Sequence, residues 1–178
     1  DLRRAARQEI TISTSYGGTA MITQDEVKQL FDYSDGQLYW RVAPSRCVRL
    51  GALAGSVTDN GYVKIKIRYK LYRAHRIVFL WHHGWLPAEI DHTDNNRRNN
   101  KIENLRAATH SQNQRNSPRQ KNNVSGAKNV GWNKQRQTWR VRVRYDGGLF
   151  AKDVTDFELA VLIAEEARAK YHGDFAKN

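Results

Sequence analysis

One cysteine, one methionine and a shortage of acidic residues set this 178-residue chain apart. With Cys47 alone, no disulfide can close within the chain and a cysteine-rich zinc site is excluded, which fits an intracellular setting. Long apolar runs are missing as well: stretches such as Ile77 to Trp81 and Ala160 to Ala164 fall far short of the ~20 residues that cross a bilayer. No helical pattern joins a basic face to a broad greasy one, so a membrane surface is not an expected partner. The chain does not open with a basic segment, an apolar core and a small-residue cleavage site, so secretion finds no support. It begins at Asp1, and its single methionine is Met21. A natural start at Met21 is expected, with residues 1–20, which include Arg3, Arg4 and Arg7 and a Ser/Thr/Gly run, forming an added or upstream flexible extension.

The acid shortage leaves a surplus of cations. Lys and Arg total 30 against 18 Asp and Glu, for a formal charge of +12 and a pI near 10.0. Between Arg97 and Arg144 there are thirteen basic residues and one acidic residue, Glu103. Such a stripe is the footprint of a polyanion binder whose affinity rests on counterion release and falls steeply with salt.

Within it, Ile90 to Asn116 reads IDHTDNNRRNNKIENLRAATHSQNQRN. Ile90–His92 has the form of a strand end and Asn104–Ala108 of a return strand, with residues 95–100 as the connecting loop. Thr109 and Gln112 form a capping box that opens a helix carrying Asn113. Strand, loop, strand and helix can bring Asp91, His92 and Asn113 to one point. His110, three residues before Asn113, reads as a surface histidine of the capping turn.

This segment resembles the HNH endonucleases of the ββα-metal type, especially the phage and intron homing enzymes. The resemblance implies that Asp91 and Asn113 hold one divalent cation, that His92 is the general base, and that Asn104 supports the loop and the base. The chemistry suits these residue types. An imidazole near its ordinary pKa of ~6.5 accepts a proton from water at neutral pH. Mg²⁺ or Mn²⁺ prefers oxygen ligands and keeps positions open for phosphate, so one Asp and one Asn suffice as protein ligands. The products implied by the family are a 5′-phosphate and a 3′-hydroxyl.

The flanking signals describe a small mixed domain. Thr23 and Glu26 make a capping box, and Ile22 with Val27 a hydrophobic staple, predicting a helix over 24–31. Asp35-Gly36 turns the chain, Gln37–Val42 reads as a strand, and Tyr62–Arg68 alternates Val63, Ile65 and Ile67 with Lys64, Lys66 and Arg68. Ala74–His83, closed by Gly84, reads as a helix whose Ile77, Val78, Leu80 and Trp81 fill the core. His75, His82 and His83 share this helix, but their spacing lets at most one pair share a face, so they read as packing or surface residues. Leu38 through His75, including the RAHR segment at 73–76, is also similar to the amino-terminal half of phage HNH proteins.

Residues 117–125 have the composition of a linker. Beyond it, strands are expected at Lys128–Asn133, Thr138–Tyr145 and Leu149–Val154, followed by a helix capped by Thr155 with Glu158 and bearing Phe157, Ala160, Val161, Ala164, Ala167 and Tyr171 at helical spacing. Alternation puts Trp139, Val141, Val143 and Tyr145 on one sheet face and Arg140, Arg142 and Arg144 on the other, flanked by Trp132, Lys134 and Arg136. Three arginines in a row contribute nothing obvious to folding and suit a phosphate backbone or guanine edges. Residues 126–178, through VGWNKQRQTWRVRV and YHGDFAKN, resemble the Apetala-type (ethylene-response-factor) DNA-binding domain, although the full Arg-rich first strand of the plant pattern is missing.

The expectation is therefore an α+β protein: an extension at 1–20, an HNH nuclease domain at 21–116, a linker at 117–125 and a sheet-based DNA-binding domain at 126–178. It would be a metal-dependent, phage or mobile-element DNA endonuclease acting on double-stranded DNA inside a host cell, with no obligate protein partner. Arg97 and Arg98, on the loop, join the DNA-binding set. Two other classes remain open on these residues: a DNA-binding regulator that keeps the scaffold without cutting, and an RNA-directed nuclease.

Overall fold

The computed structural model describes residues 22–119 and 122–176; the expected extension at 1–20 lies outside them. The fold mixes short helices with small antiparallel sheets, an α+β architecture. Helix α1 (Gln24–Leu30) starts where Thr23 Oγ1 accepts from Glu26 N and the Glu26 carboxylate accepts from Thr23 N. It stops one residue before the predicted end. Phe31 turns extended and begins β1 (Phe31–Ser34), a strand not anticipated because only its partner β2 (Gln37–Trp40) shows a strand pattern. The hairpin turns at Asp35 and Gly36, both with positive φ (47° and 81°), the conformation that two-residue hairpin loops require. Phe31 sits opposite Trp40 with ring centroids 4.5 Å apart.

A three-stranded sheet follows, with β4 (Val63–Ile67) between β3 (Ser56–Val57) and β5 (Lys70–Arg73). Ile65 and Ile67 are buried while Lys64 and Lys66 are exposed, as the alternation requires. The chain then enters α2 (Ala74–His83), which ends as predicted at Gly84 in the left-handed conformation. This helix buries Ala74, His75, Ile77, Val78, Phe79 and Leu80 at the centre of a cluster that also holds Val27, Phe31, Trp40, Ile65, Ile90 and Leu105. Ile77 and Val78 are essentially inaccessible, and burying each contributes roughly 1.5–3 kcal/mol.

Against this core lies the hairpin β6 (Glu89–His92) with β7 (Leu105–Ala108), in the register Glu89↔Ala108 to His92↔Leu105. A 3₁₀ turn over Ile102–Asn104 leads into β7. The expected capping box of Thr109 and Gln112 opens α3 (His110–Asn116), which packs on β6.

A second buried cluster involves β8 (Val130–Asn133), β9 (Thr138–Tyr145), β10 (Gly148–Val154) and α4 (Phe157–His172). Strand β9 is central. Val141 and Val143 on β9 meet Ala160, Ala164 and Ala167 of α4, small residues that let a helix approach a sheet closely. The cap differs from expectation. The chain stays extended through Asp156, whose carboxylate accepts from Leu159 N at 2.6 Å, so Asp156 and not Thr155 starts α4. A carboxylate there also faces the positive end of the helix. Strand β8 likewise begins at Val130 rather than Lys128.

Gly36 ties the first hairpin to the loop that precedes the 3₁₀ turn, since a Cβ there would lie 2.7 Å from Lys101 N. Gly36→Ala is expected to cost roughly 2 kcal/mol through strained φ and this backbone collision, read as a lower urea midpoint; an unchanged midpoint would show that the loop yields freely.

Candidate active site and basic sheet face

The hairpin of β6 and β7 divides its side chains between two neighbours. Successive strand residues point to opposite faces, so Glu89 and Asp91 turn toward α3 while Ile90 and His92 turn toward α2. On α3, Asn113 and Asn116 stand three residues apart on one face. Asn113 Nδ2 donates to Glu89 Oε2 at 2.6 Å, and Asn116 Nδ2 lies 2.9 Å from both oxygens of Asp91 and from the His92 carbonyl. Two acids two apart on a strand thus meet two amides one turn apart on a helix.

Asp91, 3% exposed, also has Arg106 opposite it on β7. Arg106 Nε donates to Asp91 Oδ2 at 2.9 Å, and Nη2 lies 2.8 Å from the same oxygen. His92, 5% exposed, places Nε2 3.1 Å from Asn100 Oδ1. An amide oxygen only accepts, so Nε2 carries the hydrogen and Nδ1 keeps the lone pair. Burial lowers the His92 pKa below its ordinary 6.5; the Asn100 hydrogen bond and the Asp94 and Asp91 charges oppose the shift, and Arg97 adds to it. The ring is a neutral base at physiological pH.

Asp91, His92, Asn113, Arg97 and Arg98 line one cleft of about 370 Å³, together with Tyr62, Asn95 and Asn96. Asn104 stands behind it. Its Nδ2 donates to Asp94 Oδ1 (2.9 Å) and Asn99 O (2.8 Å), and its Oδ1 accepts from Asp94 N (3.0 Å), so it braces the loop without bonding His92. Burial pushes the Asp94 pKa up, but bonds from Asn99, Asn96 N and Asn104 outweigh it and the net direction is down. A carboxylate wrapped in loop amides is what shapes residues 94–100.

Several participants escaped the sequence reading. His75, assigned to packing, stands edge-on to His92 with centroids 5.1 Å apart. Its pKa is lowered to about 3, by burial first and then by His92, Arg73 and Arg76. Tyr62 sits 6.2 Å from His92 and carries two guanidiniums on its ring, Arg73 at 4.6 Å and Arg97 at 4.8 Å. Asn116, Arg106 and Glu89 carried no motif signal. The "RN" after Asn113 and the Glu before Ile90 were legible only as hairpin and helix positions, and their partners are set by packing. His110 bonds Glu89 Oε1 through Nδ1 (2.7 Å) at the exposed helix start, and Glu89 is held below its ordinary pKa by Asn113 first and then His110. His82 and His83 end α2 away from His92; His82 packs on Tyr33 and His83 on Phe79. Among the described residues no three His, Cys, Asp or Glu side chains gather as a metal cluster.

On the second sheet, Arg142 and Arg144 are exposed and make no side-chain bond among the described residues. Arg140 differs from expectation. Its Nε and Nη2 donate to Asp153 across the β9–β10 register at 2.6 and 2.7 Å, and Arg136 joins the same carboxylate at 3.2 Å. These bonds, Arg140 foremost, hold the Asp153 pKa down at about 2. The arginine row therefore contributes an ordered cross-strand ion pair. Trp132 has Trp139 as its register partner, ring centroids 4.9 Å apart, and Gly131 is the residue of β8 that stands opposite Arg140. A groove of about 510 Å³ along β8 is lined by Gly131, Trp132, Lys134, Arg140 and Arg142.

Comparison with known proteins defines the class. The HNH endonuclease family matches residues 72–115, which span the end of β5, α2, the β6–β7 hairpin and α3 as far as Arg115. The chain thus carries an HNH endonuclease domain, whose substrate class is nucleic acid and whose members generally use a divalent metal ion. It is 34% identical to Protein 3.8 of Escherichia phage T7 over 111 residues, covering 61% of this chain and 92% of that protein, and it belongs to the same family. No solved structure matches the chain. No helix among the described residues is long and apolar enough to cross a membrane.

Buried neutral His75 makes stability depend on pH. Its folded pKa of about 3 lies below the unfolded ~6.5, so the unfolded chain binds the extra proton; its contribution is complete above 6.5 and is lost as pH falls toward 3, about 1.4 kcal/mol per pH unit. Urea unfolding at pH 7 and pH 5 should show His75→Phe losing less stability on acidification than the wild type; equal losses would contradict a neutral buried imidazole.

Proposed function

We propose that this protein is a metal-dependent DNA endonuclease in which an HNH domain at residues 21–116 cuts and a sheet domain at 126–178, joined by residues 117–125, holds the duplex. The observation that carries this reading is the shared cleft of Asp91, His92, Asn113 and Arg97, with His92 Nδ1 free to act as a base. The protein is read as a phage or mobile-element enzyme working inside a host cell.

His92 Nδ1 takes the proton of a water molecule as that water attacks phosphorus. The hydrogen bond from Nε2 to Asn100 keeps the ring oriented and spreads the charge it acquires. Asn104 acts through Asp94, holding the loop so that Arg97 and Arg98 face the incoming backbone. Arg73, beside Arg97 on the Tyr62 ring, adds a further guanidinium for phosphate.

The donor set fits an oxygen-preferring dication, Mg²⁺ or Mn²⁺. Asp91 Oδ2 is occupied by Arg106 and Asn116, whereas Oδ1 receives only Asn116 and keeps a lone pair. Asn113 gives its Nδ2 to Glu89, leaving its carbonyl oxygen available. Asp91 and Asn113 would hold the ion. When bound, it supplies charge for the oxygens gathering electrons at phosphorus and for the departing sugar oxygen.

The sheet face supplies backbone contacts that are independent of the cut. Arg142 and Arg144 are its unpaired cations, Lys134 and Arg136 lie at the β8–β9 turn, and Arg140 is aimed by Asp153. Its likeness to the Apetala-type domain favours duplex DNA over RNA.

Supercoiled plasmid incubated with Mg²⁺, Mn²⁺ or EDTA tests the reading. The wild type should cut with either metal and not with EDTA, and His92→Ala should lose on the order of 10²–10⁴-fold in rate while binding DNA unchanged; cutting by pure His92→Ala protein at the wild-type rate would refute it. Arg142→Gln and Arg144→Gln should each weaken DNA binding and reduce the slope of log K against log salt by about one. A slope that does not move would remove the sheet face from the interface.

A further inference from the structure

Arg106 touches both Asp91 and the turn that follows α4. While Nε donates to Asp91 Oδ2 at 2.9 Å, Nη1 donates to the Asp174 carbonyl at 2.8 Å, and the guanidinium carbon lies 3.7 Å from the centroid of the Phe175 ring. Asp174 and Phe175 belong to a 3₁₀ turn, Gly173–Phe175, directly after α4, and that turn packs on α3. Phe175 is not among the residues packed on the second buried cluster. Its ring serves the arginine instead. The same junction is tied by an ion pair between Arg115 of α3 and Asp146 of the β9–β10 turn, and by Lys128 Nζ on the carbonyls of Arg115 and Ser117, both at 2.8 Å.

We propose that the turn Gly173–Phe175 is a working part of the nuclease centre: it fixes Arg106, and Arg106 fixes Asp91, so cutting requires the C-terminal segment docked on α3. This rests on the nuclease reading above. A guanidinium has a rigid fork and one flat face on each side. Here the fork is divided between a carboxylate and a carbonyl and one face is covered by an aromatic ring, leaving the side chain 21% exposed. Without the turn, Nη1 loses its acceptor and the ring is replaced by water, freeing a side chain rich in rotamers. Asp91 Oδ2 would then be held by Asn116 alone and Oδ1 could rotate away from the cleft. Arg106 and Phe175 are positioning residues: neither meets the substrate, and both act through the Asp91 carboxylate. A segment that belongs to the DNA-holding half would thereby license the cutting half.

The test uses the full chain with Phe175→Ala, Phe175→Tyr and Arg106→Gln. Phe175→Ala should lower the single-turnover rate at saturating DNA by roughly ten- to a hundredfold, the scale of a slightly misplaced catalytic group, with DNA Kd unchanged. Phe175→Tyr, which keeps a ring for the guanidinium, should recover most of the rate. An unchanged rate in Phe175→Ala, or a loss appearing only in Kd, would overturn the proposal. Urea unfolding of Phe175→Ala, Arg106→Gln and the double variant reads the contact without activity: the two losses should not add, and strict additivity would overturn it. Failure of the wild type to cut plasmid would instead count against the nuclease reading, and the unfolding cycle would still decide whether the turn holds Arg106.

Discussion

The carboxylate of Asp91 is where this molecule concentrates its polar organisation. A buried carboxylate is costly unless it is paired and its remaining lone pairs are satisfied, and here Arg106 from the neighbouring strand and Asn116 from α3 do both. That requirement fixes the angle at which α3 crosses the hairpin. With Asn116 over Asp91, Asn113 must fall over Glu89, and the helix start at Thr109 is set by its capping box. The orientation of His92 follows, because its carbonyl accepts from the same Asn116 amide while its ring turns to the opposite face, against His75 and Asn100.

The two faces of one short strand therefore have different environments. Toward α3 the hairpin is ionic and hydrogen-bonded; toward α2 it is aromatic and desolvated, which is why both His75 and His92 are held neutral. In the proposed nuclease, a base that must accept a proton at neutral pH would gain from the second environment, and an oxygen ligand for a hard cation from the first. Asp91 and His92 are adjacent, with side chains on opposite sides of the strand, and both line one cleft.

The Asn/Arg-rich loop and the arginine strand have different relations to the fold although they have similar composition. In the loop, Asp94 gathers the amides of Asn96, Asn99 and Asn104, so residues that look like ordinary loop composition are a closed hydrogen-bonded unit. On β9, one arginine of three is bound to Asp153 and the others are left for solvent or ligand. Composition cannot separate these cases, because a partner across a sheet or a loop may be any distance away along the chain.

Local signals were legible where a few neighbouring residues carry the whole physical reason. The capping boxes at Thr23 and Thr109, the Asp35-Gly36 turn, the span of α2 with its Gly84 cap, and the alternation of β4 and β9 are of this kind. Where two local patterns overlap by a residue, as Thr155 and Asp156 do, the backbone conformation chose between them. The Asp91-His92 pair and the cationic stripe likewise pointed to an HNH-type reading from the sequence alone. What tertiary structure decided was partnership: that Asn116 as well as Asn113 faces the acids of β6, that Asn104 acts on the loop, that His75 and Tyr62 stand beside His92, that Trp132 pairs with Trp139, and that Phe175 reaches Arg106. Each is a contact between elements far apart in sequence, set by how helices and sheets bury their apolar faces, and no spacing rule along the chain encodes where those faces meet.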